Sequence, residues 1–129
     1  MIERIKHIGI AVNSIDETMD LWKDIFGAEE LKRDAFEIVG QTSALIRIGE
    51  CYIELMEPLD EAKKSTVRKF LETHGEGIHH LSLKSTDLEK DIERLESRGI
   101  KIIGKGQPVV FTYPKTTNGI LYEITEMED

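Results

Sequence analysis

The feature that most constrains the fold of this chain is an internal repeat. His7 and His80, each placed just before aliphatic residues with a strand pattern, are 73 positions apart. Gly27 and Gly99, which each follow an amphipathic helical pattern, are 72 positions apart. A spacing this regular means that one supersecondary unit is used twice. The chain is therefore expected to fold as two similar modules.

The first module has the pattern of a β-α-β-β-β unit. A strand is predicted over residues 4–12, and a capping box, Ser14-x-x-Glu17, predicts the start of a helix that ends at Gly27. Glycine readily adopts the left-handed conformation found at many helix ends. Short alternating runs that favour β structure follow the helix, at residues 31–38, 44–48 and 52–56.

The second module repeats this order. A strand is predicted over residues 80–84, and a second capping box, Thr86-x-x-Glu89, predicts a helix that ends at Gly99. Between the modules, residues 62–74 carry apolar side chains at helical spacing before Gly75, which predicts a connecting amphipathic helix. The last predicted strands cover residues 100–103, 109–113 and 120–125.

These elements predict an α+β fold in which two tandem βαβββ modules form a curved mixed sheet around a metal-centred cleft. A single domain over residues 1–129 is expected, with module one at about 1–58, the connecting helix at about 61–75 and module two at about 77–127. The chain is 40% apolar, which suffices for a core without disulfides, and Cys51 is its only cysteine.

Charge and hydropathy exclude several kinds of partner. Seventeen basic and 25 acidic residues give a net charge of −8, the wrong sign for a protein that neutralises nucleic-acid phosphates. The aliphatic runs are far shorter than the roughly 20 residues that span a membrane. The N-terminal segment lacks the features of a signal peptide. We therefore expect no nucleic-acid or membrane partner, and a cytoplasmic location.

Four polar residues occupy matching places in the repeat. His7 and His80 lie in the first strand of each module, and Glu54 and Glu123 lie between aliphatic residues in the last. Because strand side chains alternate between faces, each of the four points away from the face that its neighbours bury. If a pseudo-twofold axis relates the modules, two imidazoles and two carboxylates converge. Such a set suits Zn, Co, Ni, Mn or Fe(II), and it leaves positions open for water or substrate.

Taken singly, these residues have simpler interpretations. A histidine at a strand start is commonly a hydrogen-bonded structural residue, and a glutamate between aliphatic residues commonly faces solvent. Their matching places favour the metal site, so His7, Glu54, His80 and Glu123 are predicted as ligands. By the same patterns, His79 is expected in packing or behind the ligands, His74 in the core, and the acidic residues 126–129 in solvent.

Four segments, KHIGIAV, YIELMEP, GIHHLSL and GILYEIT, resemble the vicinal oxygen chelate superfamily, which includes glyoxalases, bleomycin-resistance proteins and dioxygenases. Within it, STVRKFLETHGEGIHHLSL and PVVFTYPKTTNGILYEIT most resemble the methylmalonyl-CoA epimerases. The likeness covers nearly the whole chain. It implies a divalent metal cofactor (Co, Zn, Ni or Mn), a small-molecule thioester substrate, and inversion of the α-carbon of methylmalonyl-CoA by two-base proton transfer through a metal-stabilised enolate.

The resemblance also assigns roles to residues. His7, His80 and Glu123 match metal ligands, and Glu54 matches a position that holds Gln or Glu in that family. Glu123 is also implied as one catalytic base, and Glu37 is the nearest match to the other, although Ile38 aligns as well under some gap choices. Taken singly, Glu37 has the pattern of an exposed charge at a strand end near the Gly40 turn. Two features depart from the family pattern. Tyr113 stands where the family usually has His before Pro-Lys, and the connection between residues 103 and 109 is short for an epimerase.

Two other functions remain open on this sequence. A glyoxalase I-type lactoylglutathione lyase uses the same two-His, two-Glu set to move a proton within a glutathione hemithioacetal. A non-catalytic member of the superfamily would keep the fold and bind a small molecule without turnover. For an acyl-CoA substrate, Lys105 and Lys115 are candidates to meet the phosphates. The exposed edges of a half-barrel sheet further predict a homodimer.

Overall fold

The computed structural model describes residues 1–60 and 64–129. Over these residues it contains three α-helices, one 3-10 helix and eight strands. The helices are α1 (Ile15–Phe26), α2 (Thr66–His74) and α3 (Leu88–Ser97), and the 3-10 helix is Pro114–Thr116. The strands are β1 (Ile2–Ala11), β2 (Glu29–Phe36), β3 (Gln41–Ile48), β4 (Cys51–Pro58), β5 (Gly77–Ser85), β6 (Ile102–Ile103), β7 (Val109–Thr112) and β8 (Tyr122–Thr125).

The strand order is β2-β3-β4-β1-β5-β8-β7-β6, an open mixed sheet in which β5 and β8 are parallel and the hairpin pairs are antiparallel. The predicted α+β class is confirmed, and so is the β-α-β-β-β order of both modules. Contacts within the chain group its residues into two compact units, Met1–Ile8 with His80–Asp129, and Gly9–His79. The single domain with its three segments stays a prediction.

In the Gly9–His79 unit, helix α1 begins and ends as the sequence predicts. The Ser14 hydroxyl accepts a hydrogen bond from the Glu17 amide at 3.1 Å, and Gly27 has a φ of 64°. The helix is amphipathic, and its buried residues join aliphatic side chains of the strands. That cluster consists of Val12, Ile15, Met19, Ala28, Ala44, Ile46 and Leu55.

Helix α2 is shorter than predicted. Residues 64 and 65 are not helical, and the helix begins at Thr66 with Ser65 as its cap, so the predicted start at residue 62 is wrong. The reason is local, because the Ser65 hydroxyl accepts a hydrogen bond from the Arg68 amide at 3.1 Å and so sets the first turn. Residues 61–63 lie outside the described part of the chain.

In the Met1–Ile8 and His80–Asp129 unit, helix α3 has a different cap from the predicted one. The Asp87 carboxylate accepts a hydrogen bond from the Lys90 amide at 3.2 Å, so the predicted capping box at Thr86 is wrong. The Thr86 hydroxyl instead donates to the Met1 carbonyl at 3.1 Å. The core of this unit consists of Leu88, Ile92, Ile102, Val110 and Ile124. In the described residues, no helix is both long and apolar enough to cross a membrane.

Candidate metal centre

Three of the four predicted ligands converge within the unit formed by Met1–Ile8 and His80–Asp129. The Nε2 atoms of His7 and His80 are 3.1 Å apart. Each lies 3.9 Å from a carboxylate oxygen of Glu123. Both histidines are buried, with 5% of each exposed, and the Glu123 side chain is 17% exposed. The described residues thus contain a possible metal site of two imidazoles and one carboxylate.

The pairing of β5 with β8 explains why His80 and Glu123 share a face. These strands are parallel, with Ser82 opposite Glu123, and His80 is two residues before Ser82. Residues two apart on a strand point to the same side, as do directly paired residues. The alternate residues Leu83 and Ile124 pack in the core with α3. The alternation predicted from the sequence is therefore confirmed for this pair of strands.

The geometry and chemistry of this cluster fit a divalent cation. Two imidazole nitrogens bound to one ion at about 2.0–2.1 Å, with angles near 90–110°, are about 2.8–3.4 Å apart. The 3.1 Å between the two Nε2 atoms lies within that span. Imidazole and carboxylate ligands together suit first-row divalent ions. The two imidazoles therefore have the spacing of a shared ion, and the Glu123 carboxylate, 3.9 Å from each Nε2, would move closer to complete the site; the identity of the metal stays open.

Two further side chains bind the members of this cluster. The buried Ser82 hydroxyl donates a hydrogen bond to Glu123 Oε1 at 2.7 Å. His7 Nδ1 lies 2.9 Å and 3.0 Å from the two carboxylate oxygens of Asp129. Burial raises the pKa of Asp129, but hydrogen bonds and electrostatic attraction from His7 and Lys6 outweigh burial and hold that pKa below its usual value.

The acidic end is exposed, as the sequence predicts, but two of its carboxylates form ion pairs that the sequence did not predict. Asp129 contacts His7 and Lys6, with its side chain only 21% exposed, and Glu128 pairs with Arg4 and Lys84. These cations come from strands far away in the sequence, so the acidic run alone gave no sign of them. The available signal was the presence of complementary lysines and an arginine in strands that are otherwise aliphatic.

Glu54 and Glu37 belong to the other unit. Glu54 lies on β4, opposite Leu45 of β3, and its role as fourth ligand stays a prediction. The strand predicted over residues 31–38 ends earlier, at Phe36, so Glu37 directly follows β2, and the interpretation of an exposed charge near the Gly40 turn is confirmed. Glu37 lies in an exposed turn, where its carbonyl accepts a hydrogen bond from the Gly40 amide at 3.1 Å. Its role as a base also stays a prediction.

The two remaining histidines pack on one phenylalanine. His79 is half-buried and meets Phe70 edge-on at 4.9 Å between ring centroids, as its packing interpretation predicts. His74 stacks on the same ring at 4.7 Å but is exposed, so its predicted core position is wrong. The short helix α2 buries Val67 and leaves its last turn at the surface.

A cavity of about 490 Å³ lies behind the β5–β8 pair, on the face covered by α3. Its lining includes Leu83, Leu95, Tyr122 and Ile124. Tyr122 and Ile124 flank Glu123 along β8, and alternation therefore turns them to the side away from the carboxylate. None of the three clustered residues lines this cavity, so it is separate from the candidate metal centre.

Comparison with known proteins identifies the family. Residues 6–113 match the Glyoxalase/Bleomycin resistance protein/Dioxygenase superfamily, and the chain belongs to it. The mitochondrial methylmalonyl-CoA epimerase of Dictyostelium discoideum is 32% identical, over 97% of this chain and 79% of that protein. The ethylmalonyl-CoA/methylmalonyl-CoA epimerase of Cereibacter sphaeroides is 31% identical, over 98% of this chain and all (100%) of that one.

Solved structures agree with this assignment. A variant of the methylmalonyl-CoA epimerase of Streptomyces coelicolor, in complex with 2-nitronate-propionyl-CoA, superimposes with a TM-score of 0.83 at 28% identity. The match covers 96% of each chain. The superfamily inferred from the sequence motifs is confirmed, and so is the likeness to methylmalonyl-CoA epimerases within it.

Proposed function

We propose that this chain is a metal-dependent epimerase that inverts the α-carbon of methylmalonyl-CoA. The observation that carries the proposal is the convergence of His7, His80 and Glu123 in a chain whose similarity to epimerases extends over almost its full length. The fold alone would leave the function open, because one fold serves many activities. The donor set adds the chemistry that an epimerase of this kind requires.

The reaction needs removal of a proton from a carbon next to a thioester. Breaking that C–H bond leaves its electron pair as an enolate, with negative charge on the thioester oxygen. His7, His80 and Glu123 would hold a divalent cation, which would supply a Lewis acid for that charge. The Glu123 carboxylate accepts the proton in one direction of reaction. A carboxylate has about four lone-pair sites, so the hydrogen bond from Ser82 leaves others for a cation and a proton.

Inversion needs a second acid/base on the opposite face of the planar enolate. Our candidate is Glu37, which would return a proton to that face as Glu123 removes one from the other. Glu54 is our candidate for a fourth ligand. Both assignments rest on the family resemblance, and for Glu54 also on its place in the repeat. Co, Zn, Ni and Mn are the metals we propose to test.

A thioester substrate carrying coenzyme A also needs cations for its phosphates. Lys105 is engaged, since its Nζ lies 2.9 Å from Glu96, and it would have to give up this ion pair. Lys115 is exposed on the 3-10 helix and is the simpler candidate. We further propose a homodimer in the cytoplasm, the state and place expected from the sequence.

The test uses each epimer of methylmalonyl-CoA, in a separate reaction, with metal-loaded protein in D2O. Deuterium uptake and inversion are followed separately, for the wild type and for Glu123→Gln, Glu37→Gln and His7→Ala. Glu93→Gln, at an exposed position on α3, is the matched control and should keep wild-type rates. Glu123→Gln and His7→Ala should lose both signals. Glu37→Gln should lose inversion while one epimer still exchanges its proton.

The outcomes distinguish the alternatives. Metal binding by the wild type without exchange would reject the epimerase and leave the glyoxalase I-type lyase, which the same donor set also suits. Formation of lactoylglutathione from the methylglyoxal hemithioacetal then tests that function. Failure of both reactions would favour a non-catalytic binding protein. Full inversion by Glu37→Gln would remove Glu37 from the mechanism without affecting the other assignments.

A further inference from the structure

We propose that Asp129 is a positioning residue for His7, and that it fixes the ring and the tautomer in which Nε2 can bind a metal. The inference rests on the metal centre of the proposed function. It concerns a residue for which the sequence predicted only a solvated position. No motif or family match assigns a role to this aspartate, which lies six residues beyond Glu123.

The two ring nitrogens of His7 face different partners. His7 Nδ1 is within 3.0 Å of both Asp129 carboxylate oxygens, and His7 Nε2 is 3.1 Å from His80 Nε2. A neutral imidazole carries one N–H, and an ionised carboxylate only accepts hydrogen bonds. The proton of neutral His7 therefore lies on Nδ1. The Nε2 lone pair then faces the cluster with His80 and Glu123, as a metal ligand requires.

Asp129 is itself held in place by Lys6. Lys6 Nζ lies 3.2 Å from Asp129 Oδ1 and donates a hydrogen bond to the Met127 carbonyl at 3.3 Å. Lys6 is 6% exposed, which makes it an unusually buried lysine. The Met127 amide donates to the Thr125 hydroxyl at 3.0 Å, which ties the segment to the end of β8.

The contact between Asp129 and His7 differs from a simple surface ion pair. An ion pair between exposed groups contributes little to stability and constrains no ring. Here the histidine is buried, both carboxylate oxygens face one ring nitrogen, and the other nitrogen lies in the candidate site. Acceptors of this kind behind a ligating histidine orient the ring, and their loss typically weakens metal binding by about 10–100-fold.

The test begins with the metal-free protein, at a pH where imidazole is neutral. Long-range 1H–15N NMR reports which nitrogen of His7 is protonated. The wild type should show Nδ1–H. Asp129→Ala should shift His7 toward the Nε2–H form, because the Nδ1–H then loses the carboxylate that accepts its hydrogen bond. Asp129→Asn keeps an acceptor oxygen and should retain mainly Nδ1–H.

Metal affinity is measured next, with Zn and Co in competition with a chelator. Asp129→Ala should bind about 10–100-fold more weakly than wild type, with Asp129→Asn between them. The matched control is Glu128→Gln, which removes the neighbouring carboxylate that pairs with Arg4 and Lys84, and it should stay within about twofold. An equal loss in Glu128→Gln would indicate general anchoring of the segment and overturn the specific role of Asp129.

Wild-type tautomer and affinity in Asp129→Ala would also overturn the proposal. Absence of metal binding by the wild type would reject the metal centre, and with it the function of this pair, whatever the tautomer. Absence of epimerase activity in a protein that binds metal would leave the inference standing. The failure of the proposed reaction and the failure of this inference therefore give different results.

Discussion

The hairpin of β3 and β4 and the hairpin of β7 and β8 occupy matching places in the repeat, yet they are built differently. The first has eight paired positions, Gln41–Ile48 against Cys51–Pro58. The second has three, from Val109 opposite Thr125 to Phe111 opposite Glu123. In both, the glutamate of interest lies opposite a large apolar residue, Leu45 for Glu54 and Phe111 for Glu123.

In the second hairpin, hydrogen bonds of threonine side chains take the place of some of the backbone pairing that the first hairpin has. The Thr112 hydroxyl accepts a hydrogen bond from the Tyr122 amide at 3.2 Å, and the Thr125 hydroxyl donates to the Pro108 carbonyl at 2.9 Å. Such side-chain bonds give backbone groups an alternative to strand pairing. The strand carrying Glu123 therefore depends on individual side chains, whereas the strand carrying Glu54 depends on a long ladder of backbone hydrogen bonds.

The largest change in the free energy of unfolding is expected from substitutions in the apolar cores behind the two hairpins. Ile46→Ala and Ile124→Ala make the same change at sites that are 0% and 2% exposed. Each should lower the free energy of unfolding by about 2–5 kcal/mol, because a buried cavity remains. Ile46 belongs to the more extensive cluster, so its loss should be the greater. Urea unfolding measures both, and a greater loss for Ile124→Ala would contradict this comparison.

The next largest change is expected from removing the hydrogen bonds of a threonine in the second hairpin. Thr125→Val is nearly isosteric and leaves two backbone groups, the Pro108 carbonyl and the Met127 amide, without their partner. It should cost about 1–3 kcal/mol. Thr42→Val on β3 is the matched control, since the Thr42 side chain makes no hydrogen bond within the described residues, and its cost should be small. Equal costs in urea unfolding would show that the threonine bonds stabilise nothing.

The sequence predicted the repeat because aliphatic alternation and helix ends are local signals. The Ser14 cap was found for the same reason. The cap of α3 was missed by one residue because Thr86 and Asp87 are both good capping residues, and only Thr86 has a glutamate three positions later. In the structure the Asp87 carboxylate caps α3, and the Thr86 hydroxyl donates a hydrogen bond to the Met1 carbonyl instead.

The candidate site could be predicted only in part. Strand parity brings His80 and Glu123 to one face, and the matching place of His7 in the repeat made it the third member. The hydrogen bonds around them could not be predicted in the same way. Ser82 meets Glu123 because of the register of two parallel strands, and Asp129 reaches His7 through a turn after β8. Neither depends on a local pattern.

Ser82→Ala sharpens the comparison at the site itself. It removes the hydroxyl that donates a hydrogen bond to Glu123 Oε1. Glu123 lies on β8, which pairs with β7 at only three positions. A hydrogen bond to a charged group contributes about 1.5–3 kcal/mol, so the rate of deuterium exchange into methylmalonyl-CoA should fall about tenfold or more. Urea unfolding of the same variant is the control. An unchanged exchange rate in a stable variant would show that Glu123 needs no partner on β5.

The smallest expected effect concerns a glutamate that recurs in both modules. Glu57 lies three residues after Glu54, and Glu126 lies three residues after Glu123. Glu57 accepts a hydrogen bond from the amide of Ile15, the first residue of α1. Glu126 accepts one at 3.4 Å from the amide of the first residue of α3. A carboxylate at a helix start is favourable in itself. Burial nevertheless raises the pKa of Glu57, against the effect of the Ile15 amide.

A raised pKa fixes the sign of the pH dependence. The contribution of Glu57 to stability is complete below its unfolded pKa of about 4.3, and it is lost as the pH rises through the higher folded value. The free energy of unfolding of the wild type, relative to Glu57→Gln, should therefore fall over that window and then level off. Glu126→Gln measures the background effect of removing a charge at the matching place. A relative stability that rises with pH in urea unfolding would mean that Glu57 is stabilised as a carboxylate.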